Sequence, residues 1–179
     1  MAKQPTKSLR KSLDRNIDFP VESSFGFLLR KAYQVFIRKL EEKLSLHNIT
    51  TAQWFFLRVL WEEDGITQRE LSEKVGITES TTVAAMKVMQ RRGFVRCTAD
   101  KSDKRRKKVF LTRTGHKLRN ILLPYAYEIH TISKEGLSEE ELKSTREVIL
   151  HMKKNLEVDA ETRSLLEEVR TLKKKLSHS

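Results

Sequence analysis

Cysteine occurs once in this 179-residue chain, at Cys97. No disulfide can close within the chain, and a reducing, cytosolic compartment fits. No apolar run approaches the roughly 20 residues that a spanning helix needs, so no membrane partner is expected. The stretch from Met1 to Arg15 is basic but has no apolar segment after it, which is not the pattern of a secretory signal. Glycine is sparse, with 6 residues, and none of them builds a phosphate-cradling loop. There is no nucleophile elbow. The 5 histidines, His47, His116, His130, His151 and His178, are scattered, with no short pair suited to zinc. Catalysis, a bound metal and a cofactor are therefore not expected.

What the chain has is charge. Charged residues make up 34% and hydrophobic ones 38%, which suits a helical, well-solvated protein better than a compact sheet enzyme. Its net charge of +12 favours a polyanionic partner, and by composition alone either nucleic acid or an anionic membrane surface would serve. The length allows one domain of ordinary size with a real core.

The pattern along the chain narrows the choice. Residues 1–20 carry Lys3, Lys7, Arg10, Lys11 and Arg15 and read as a mobile basic arm, either a solvated tail or a contact to phosphates. From Val21 to Leu46, Phe25, Leu28, Leu29, Ala32, Val35, Phe36, Leu40 and Leu44 recur at helical spacing. That apolar face is wide for a monomer surface and suggests a second subunit. Thr50 or Thr51 caps a second helix through Trp54, Leu57, Leu60 and Trp61, closed by Asp64-Gly65. Thr67-Gln-Arg-Glu70 is a capping box for a short third helix, and Gly76 supplies a tight turn. A fourth helix, capped by Thr78 or Ser80, runs to Arg92 and stops at Gly93.

Phe94 to Thr98 and Lys107 to Thr112 read as strands of a hairpin with Ala99 to Arg106 at its tip. A fifth helix follows through Ile129, with Pro124 expected to bend or break it. Ser138-Glu-Glu-Glu141 is another capping box, for a sixth helix with Leu142, Thr145, Ile149, Met152 and Leu156 on one face. Val158, Thr162, Leu165, Val169, Leu172 and Leu176 then form a heptad-like seam, read as a self-pairing helix or as one packed on its own domain.

Helix, turn, helix and basic wing together suit a DNA duplex, because one helix fits the major groove. Leu71, Val75, Ile77, Met86 and Met89 have the spacing to anchor the two helices. The fourth helix would then present Ser80, Thr81, Val83, Ala84 and Lys87 to the groove, with Thr78 at its start. This face holds no Arg, Asn or Gln, so DNA shape is expected to matter as well as direct readout. Between Arg96 and Lys108 lie Lys101, Lys104, Arg105, Arg106 and Lys107, making 7 cations within 13 residues. Such a cluster repels itself, and backbone phosphates relieve the repulsion. Asp103, two residues before Arg105, is read as orienting the hairpin tip, so Asp103→Ala is expected to weaken binding although it adds positive charge.

The segments Thr51-Ala-Gln-Trp54, Asp64-Gly-Ile-Thr-Gln-Arg-Glu-Leu71, Arg91-Arg-Gly-Phe-Val95, Asp103-Lys-Arg-Arg106 and Val109-Phe-Leu-Thr-Arg-Thr-Gly115 resemble the multiple-antibiotic-resistance regulator (MarR) family. The resemblance covers Thr51 to about Arg119. It implies a mainly α winged helix-turn-helix with a small β-hairpin, assembled as a homodimer through its terminal helices. It implies a transcriptional repressor of double-stranded DNA, with the fourth helix in the groove and Arg105 as the wing residue of the minor groove. The organisation is then an arm (1–20), a first dimerisation helix (21–48), a DNA-binding lobe (49–113), C-terminal dimerisation helices (114–157) and a helical tail (158–179). Ala84 stands where many members carry an arginine, and the tail exceeds the usual family length. The resemblance also implies an effector, an aromatic acid or related thioester, for which Phe25, Leu29, Arg30, Tyr33, Trp54, Phe55, Tyr125 and His130 are candidates, although aromatics at helical spacing also suit a core. Cys97 lies in the wing strand, away from the first helix where thiol sensors of the family resemble one another. Local cations could lower its pKa, but packing is its simpler role. The alternative reading of the whole chain is a nonspecific, architectural nucleic-acid-binding protein.

Overall fold

The computed structural model describes residues 18–100 and 106–157. Six α-helices and one hairpin follow in the order α1 (Phe25–Ser45), α2 (Thr51–Glu62), α3 (Gln68–Val75), α4 (Glu79–Arg91), β1 (Val95–Ala99), β2 (Lys107–Leu111), α5 (Arg113–Ser133) and α6 (Glu139–Glu157). Two compact units result, one of Phe25–Ser133 and one holding the described residues 18–24 and 134–157.

Each helix of the larger unit begins or ends where a local hydrogen bond permits it. Val21–Ser23 form a short 3-10 turn rather than the first turn of α1, with the Ser23 amide donating to the Pro20 carbonyl at 3.0 Å. The helix therefore starts at Phe25, later than its apolar pattern suggests. Asn48 closes the α1–α2 turn at φ 55°, a left-handed conformation that asparagine tolerates. Thr50, rather than Thr51, caps α2 in a full capping box with Gln53. The Thr67–Glu70 box starts α3, and Gly76 ends it at φ 78°. Thr78 caps α4 by accepting the Thr81 amide, while Ser80 lies inside the helix.

One hydrophobic core joins these helices. Leu40 and Leu44 come from α1, Trp54, Phe56, Leu57 and Leu60 from α2, and Leu71 from α3. Met86 and Met89 come from α4, Val95, Val109 and Leu111 from the hairpin, and Leu122 from α5. Burying each such side chain is worth about 1.5–3 kcal/mol before chain entropy is subtracted. Ile77 does not join this core as its spacing suggested. It follows Gly76 in the turn, outside both helices, and is 36% exposed.

The antiparallel hairpin pairs Val95 with Leu111, Arg96 with Phe110, Cys97 with Val109, Thr98 with Lys108 and Ala99 with Lys107. Its strands are shifted slightly from the expected limits, because Phe94 belongs to the buried turn and its amide donates to the Met89 carbonyl at 2.9 Å. Gly65 and Ile66 extend the sheet on the far side of β2: Gly65 N–H donates to Val109 O at 2.9 Å and Val109 N–H to Ile66 O at 2.8 Å.

Pro124 neither breaks α5 nor ends it, since the helix runs on to Ser133. Asn120, whose carbonyl loses its helical donor, is exposed, so water can satisfy it. In the smaller unit, Ser138 and Glu141 form the expected reciprocal cap of α6. Leu142 and Met152 are half-buried there, while Ile149 and Leu156 remain exposed. Among the described residues no helix is long and apolar enough to cross a membrane.

Candidate nucleic-acid interface

Two opposite stripes, one buried and one exposed, orient α4. Thr82, Met86 and Met89, spaced by four and three residues, are fully buried against the rest of the domain. The opposite stripe, Ser80, Ala84, Lys87 and Arg91, has the same spacing and is exposed throughout. Arg91 was not among the candidates, yet it falls four residues after Lys87. Val83, also read as part of the open face, is half-buried and adjoins the buried Thr82 and Met86.

The start of α4 gathers three exposed hydroxyls. Thr78 Oγ1 lies 3.1 Å from Ser80 Oγ and 2.8 Å from Thr81 Oγ1. Thr82 Oγ1 donates backward to the Thr78 carbonyl at 3.2 Å. The helix N-terminus adds unpaired amides and a partial positive charge, so this end suits a phosphate.

The wing supplies formal charge beside it. Arg96 is exposed, with its guanidinium carbon 4.4 Å from the centre of the Phe110 ring. Lys107 and Arg106 are exposed, and the Arg106 carbonyl accepts the Asp100 amide at 2.9 Å. Lys108 pairs with Asp100 at 3.2 Å. Lys101, Asp103, Lys104 and Arg105 lie outside the described residues.

Cys97 is half-buried, and Gln68 Nε2 approaches its sulfur at 3.8 Å. Burial pushes its thiol pKa up, and the opposing pull of Gln68 and Lys107 is smaller. Of the two readings of Cys97, this favours packing over a thiol activated by local cations, because desolvation of the thiolate outweighs their pull.

The candidate effector residues differ in exposure. Phe25, Leu29, Arg30 and Tyr33 on α1 are exposed, as is His130 on α5. Trp54 is only 4% exposed and packs edge-on to Trp61, so it is a core residue. Phe55 is half-buried. Tyr125 is half-buried and its hydroxyl lies 3.2 Å from His47 Nε2, a partner that nothing local in the sequence signals. An open depression lined by Arg58, Val59, Glu62, Glu63 and Lys74 includes none of these candidates.

This arrangement of helices and hairpin has known counterparts. The sequence profile of the MarR family matches residues 49–107. YybA, an HTH-type transcriptional regulator of Bacillus subtilis, is 30% identical over 115 residues, covering 64% of this chain and 76% of YybA. The chain belongs to the MarR family. A second relative, the HTH-type transcriptional regulator TtmR of Methylorubrum extorquens, is also 30% identical over 115 residues, covering 64% of this chain but only 59% of TtmR. Among solved structures, Staphylococcus aureus MepR in its DNA complex superimposes with a TM-score of 0.69 at 26% identity, over 75% of this chain and 98% of MepR. The mainly helical fold with its two-stranded wing is therefore the MarR winged helix.

Proposed function

We propose that this MarR-family chain is a sequence-specific DNA-binding regulator that acts in the cytoplasm as a homodimer on a partly palindromic operator. The observation that carries the reading is the exposed stripe Ser80, Ala84, Lys87 and Arg91 on α4, with Arg96, Arg106 and Lys107 on the neighbouring wing. The stripe enters the major groove, where Ala84 offers a methyl contact and Lys87 and Arg91 offer charge. Thr78, Ser80 and Thr81 hold phosphate at the helix start, Val83 contributes only its outer edge, and the wing tracks the adjoining backbone. Lys101, Lys104 and Arg105 extend that wing in sequence, with Asp103 as the orienting carboxylate.

Dimerisation follows from α1. Phe25, Leu28, Val35 and Phe36 are each at least 45% exposed in one chain, and a second copy would cover them. A two-fold pair presents two reading helices about one DNA turn, roughly 34 Å, apart. Repression, released by a small aromatic acid or thioester near α1 and Tyr125, is the regulatory mode the family membership favours. The chain's role is recognition rather than catalysis.

The test is binding to DNA from upstream of the chain's own gene, beside a scrambled duplex, across a salt series. The specific regulator prefers the native duplex, and sedimentation of that complex gives two chains per site. Equal, salt-sensitive binding to both duplexes would replace this reading with an architectural one.

A further inference from the structure

Arg96 and Phe110 face each other across the hairpin on its outward side, and the guanidinium lies over the ring with its carbon 4.4 Å from the ring centre. The ring is itself seated. A Cβ on Gly65 would fall 2.6 Å from Phe110 Cε1, so Phe110 occupies the space that a side chain at 65 would need. Hydrogen bonds on either side fix the strand there: Leu111 N–H donates to Asp64 Oδ1 at 2.8 Å, and Val109 N–H to Ile66 O at 2.8 Å. Gly65, Phe110 and Arg96 thus form a stack that runs from the α2–α3 connection to the wing surface.

Several other surface cations on this lobe are paired with carboxylates. Lys108 pairs with Asp100, Arg69 with Glu73 and Lys74 with Glu63. Arg96 meets an aromatic face instead, with no carboxylate against it among the described residues. Stacking restrains a guanidinium without using its edge, where the N–H donors lie. A restrained arginine loses less freedom when it meets a phosphate than a free one does.

We infer that Phe110 is a positioning residue, which holds Arg96 ready for a bidentate contact to a DNA phosphate, and that Gly65 is glycine partly to admit its ring. This rests on the proposal that the wing meets DNA, but not on sequence preference, because phosphate contacts are made on any duplex. Loss of discrimination between native and scrambled DNA would remove the specific regulator and leave this inference standing.

The experiment is a mutant cycle read on both duplexes over a salt series. R96A lowers affinity and reduces the slope of log K against log salt by about 1. F110L, with Arg96 intact, weakens binding about three- to tenfold and leaves the slope unchanged. The double variant binds like R96A alone, and F110Y, which keeps the ring, binds like the wild type. R96K keeps the charge but loses the planar fork, and it binds more weakly than wild type. Wild-type binding by F110L or by R96K overturns the inference, as does a double variant weaker than R96A by the full F110L factor. R96K leaves the ring's packing intact, so wild-type binding by R96K overturns the inference even if F110L does not fold.

Discussion

Arg92 Nη1 donates to Gln53 Oε1 at 2.8 Å and ties the end of α4 to the first turn of α2. The same nitrogen also bonds the Asn48 carbonyl, and the guanidinium lies 4.6 Å from the centre of the Phe94 ring. Gln53 is 7% exposed, and its Oε1 also accepts the Thr50 amide at 3.1 Å, so one atom serves a helix cap and an interhelical strut. Gln53→Leu removes the strut and the side-chain half of the capping box, and leaves a half-buried charge short of an acceptor. We expect a loss of about 1–3 kcal/mol in urea denaturation. An unchanged unfolding midpoint would mean that Arg92 finds an equal partner in water.

Acid should weaken the start of α3. The Thr67 amide and hydroxyl both donate to Glu70 Oε2 at 2.8 Å, and these bonds hold the Glu70 carboxyl below its ordinary pKa. A carboxylate whose pKa is lower in the folded chain stabilises it above the unfolded value of 4.5, and that contribution fades as pH falls through the folded one. Thr67→Ala is expected to lower stability by about 1 kcal/mol at neutral pH. The gap between wild type and Glu70→Gln should then narrow as melts are repeated from pH 7 down through pH 4. A gap that stays constant would assign the effect to another carboxylate.

What could be read from the residues divides by range. The caps at Thr67 and Ser138 and the turn at Gly76 were legible, because each depends on neighbours within three or four residues. The anchors Leu71, Met86 and Met89 were legible too, since helical spacing alone aligns them with one face. Ile77 was misread because periodicity was carried across a turn that ends it. The break allowed for at Pro124 does not occur, because the missing amide matters little where the abandoned carbonyl belongs to an exposed residue. The Arg92–Gln53 strut joins residues 39 apart, and the stack of Arg96 on Phe110 depends on hairpin register. No local pattern announces either one.

Cys97 should react slowly. Burial raises its thiol pKa, so little thiolate exists at neutral pH. Alkylation of the native protein by iodoacetamide at pH 7 is expected to run well below the rate for free cysteine and to accelerate once the chain is unfolded in urea. DNA affinity should also survive mild peroxide treatment. A native rate equal to that of free cysteine, or loss of binding reversed by thiol reductant, would make this residue a sensor after all.

The core of the reading head can be weakened without touching its surface. Met86 and Leu71 are both fully buried, one on each helix of the helix-turn-helix. Truncating either to alanine leaves a cavity and is expected to lose about 2–5 kcal/mol in chemical denaturation. The salt slope of DNA binding should stay at the wild-type value wherever the variant is still folded, because no cation is removed. A changed slope in the folded variant would mean that α4 has shifted its charges, not merely lost stability.

Lys87 and Arg91 test the face of α4 directly. Both are exposed on the stripe that starts at Ser80, and neither has a carboxylate partner among the described residues. A phosphate contact and a base contact leave different marks. If Lys87 neutralises a phosphate, Lys87→Ala weakens native and scrambled duplexes alike and lowers the salt slope by about 1. If Arg91 reads a guanine edge, Arg91→Ala weakens the native duplex by about 1–3 kcal/mol more than the scrambled one. The stripe ends at Arg91, four residues past Lys87 and beside the turn into the wing, so this side chain lies where groove and backbone contacts meet. We expect Lys87 to act on both duplexes equally and Arg91 to carry discrimination. Equal losses on both duplexes for Arg91→Ala would shift the reading of sequence away from side chains at the end of α4 and toward DNA shape.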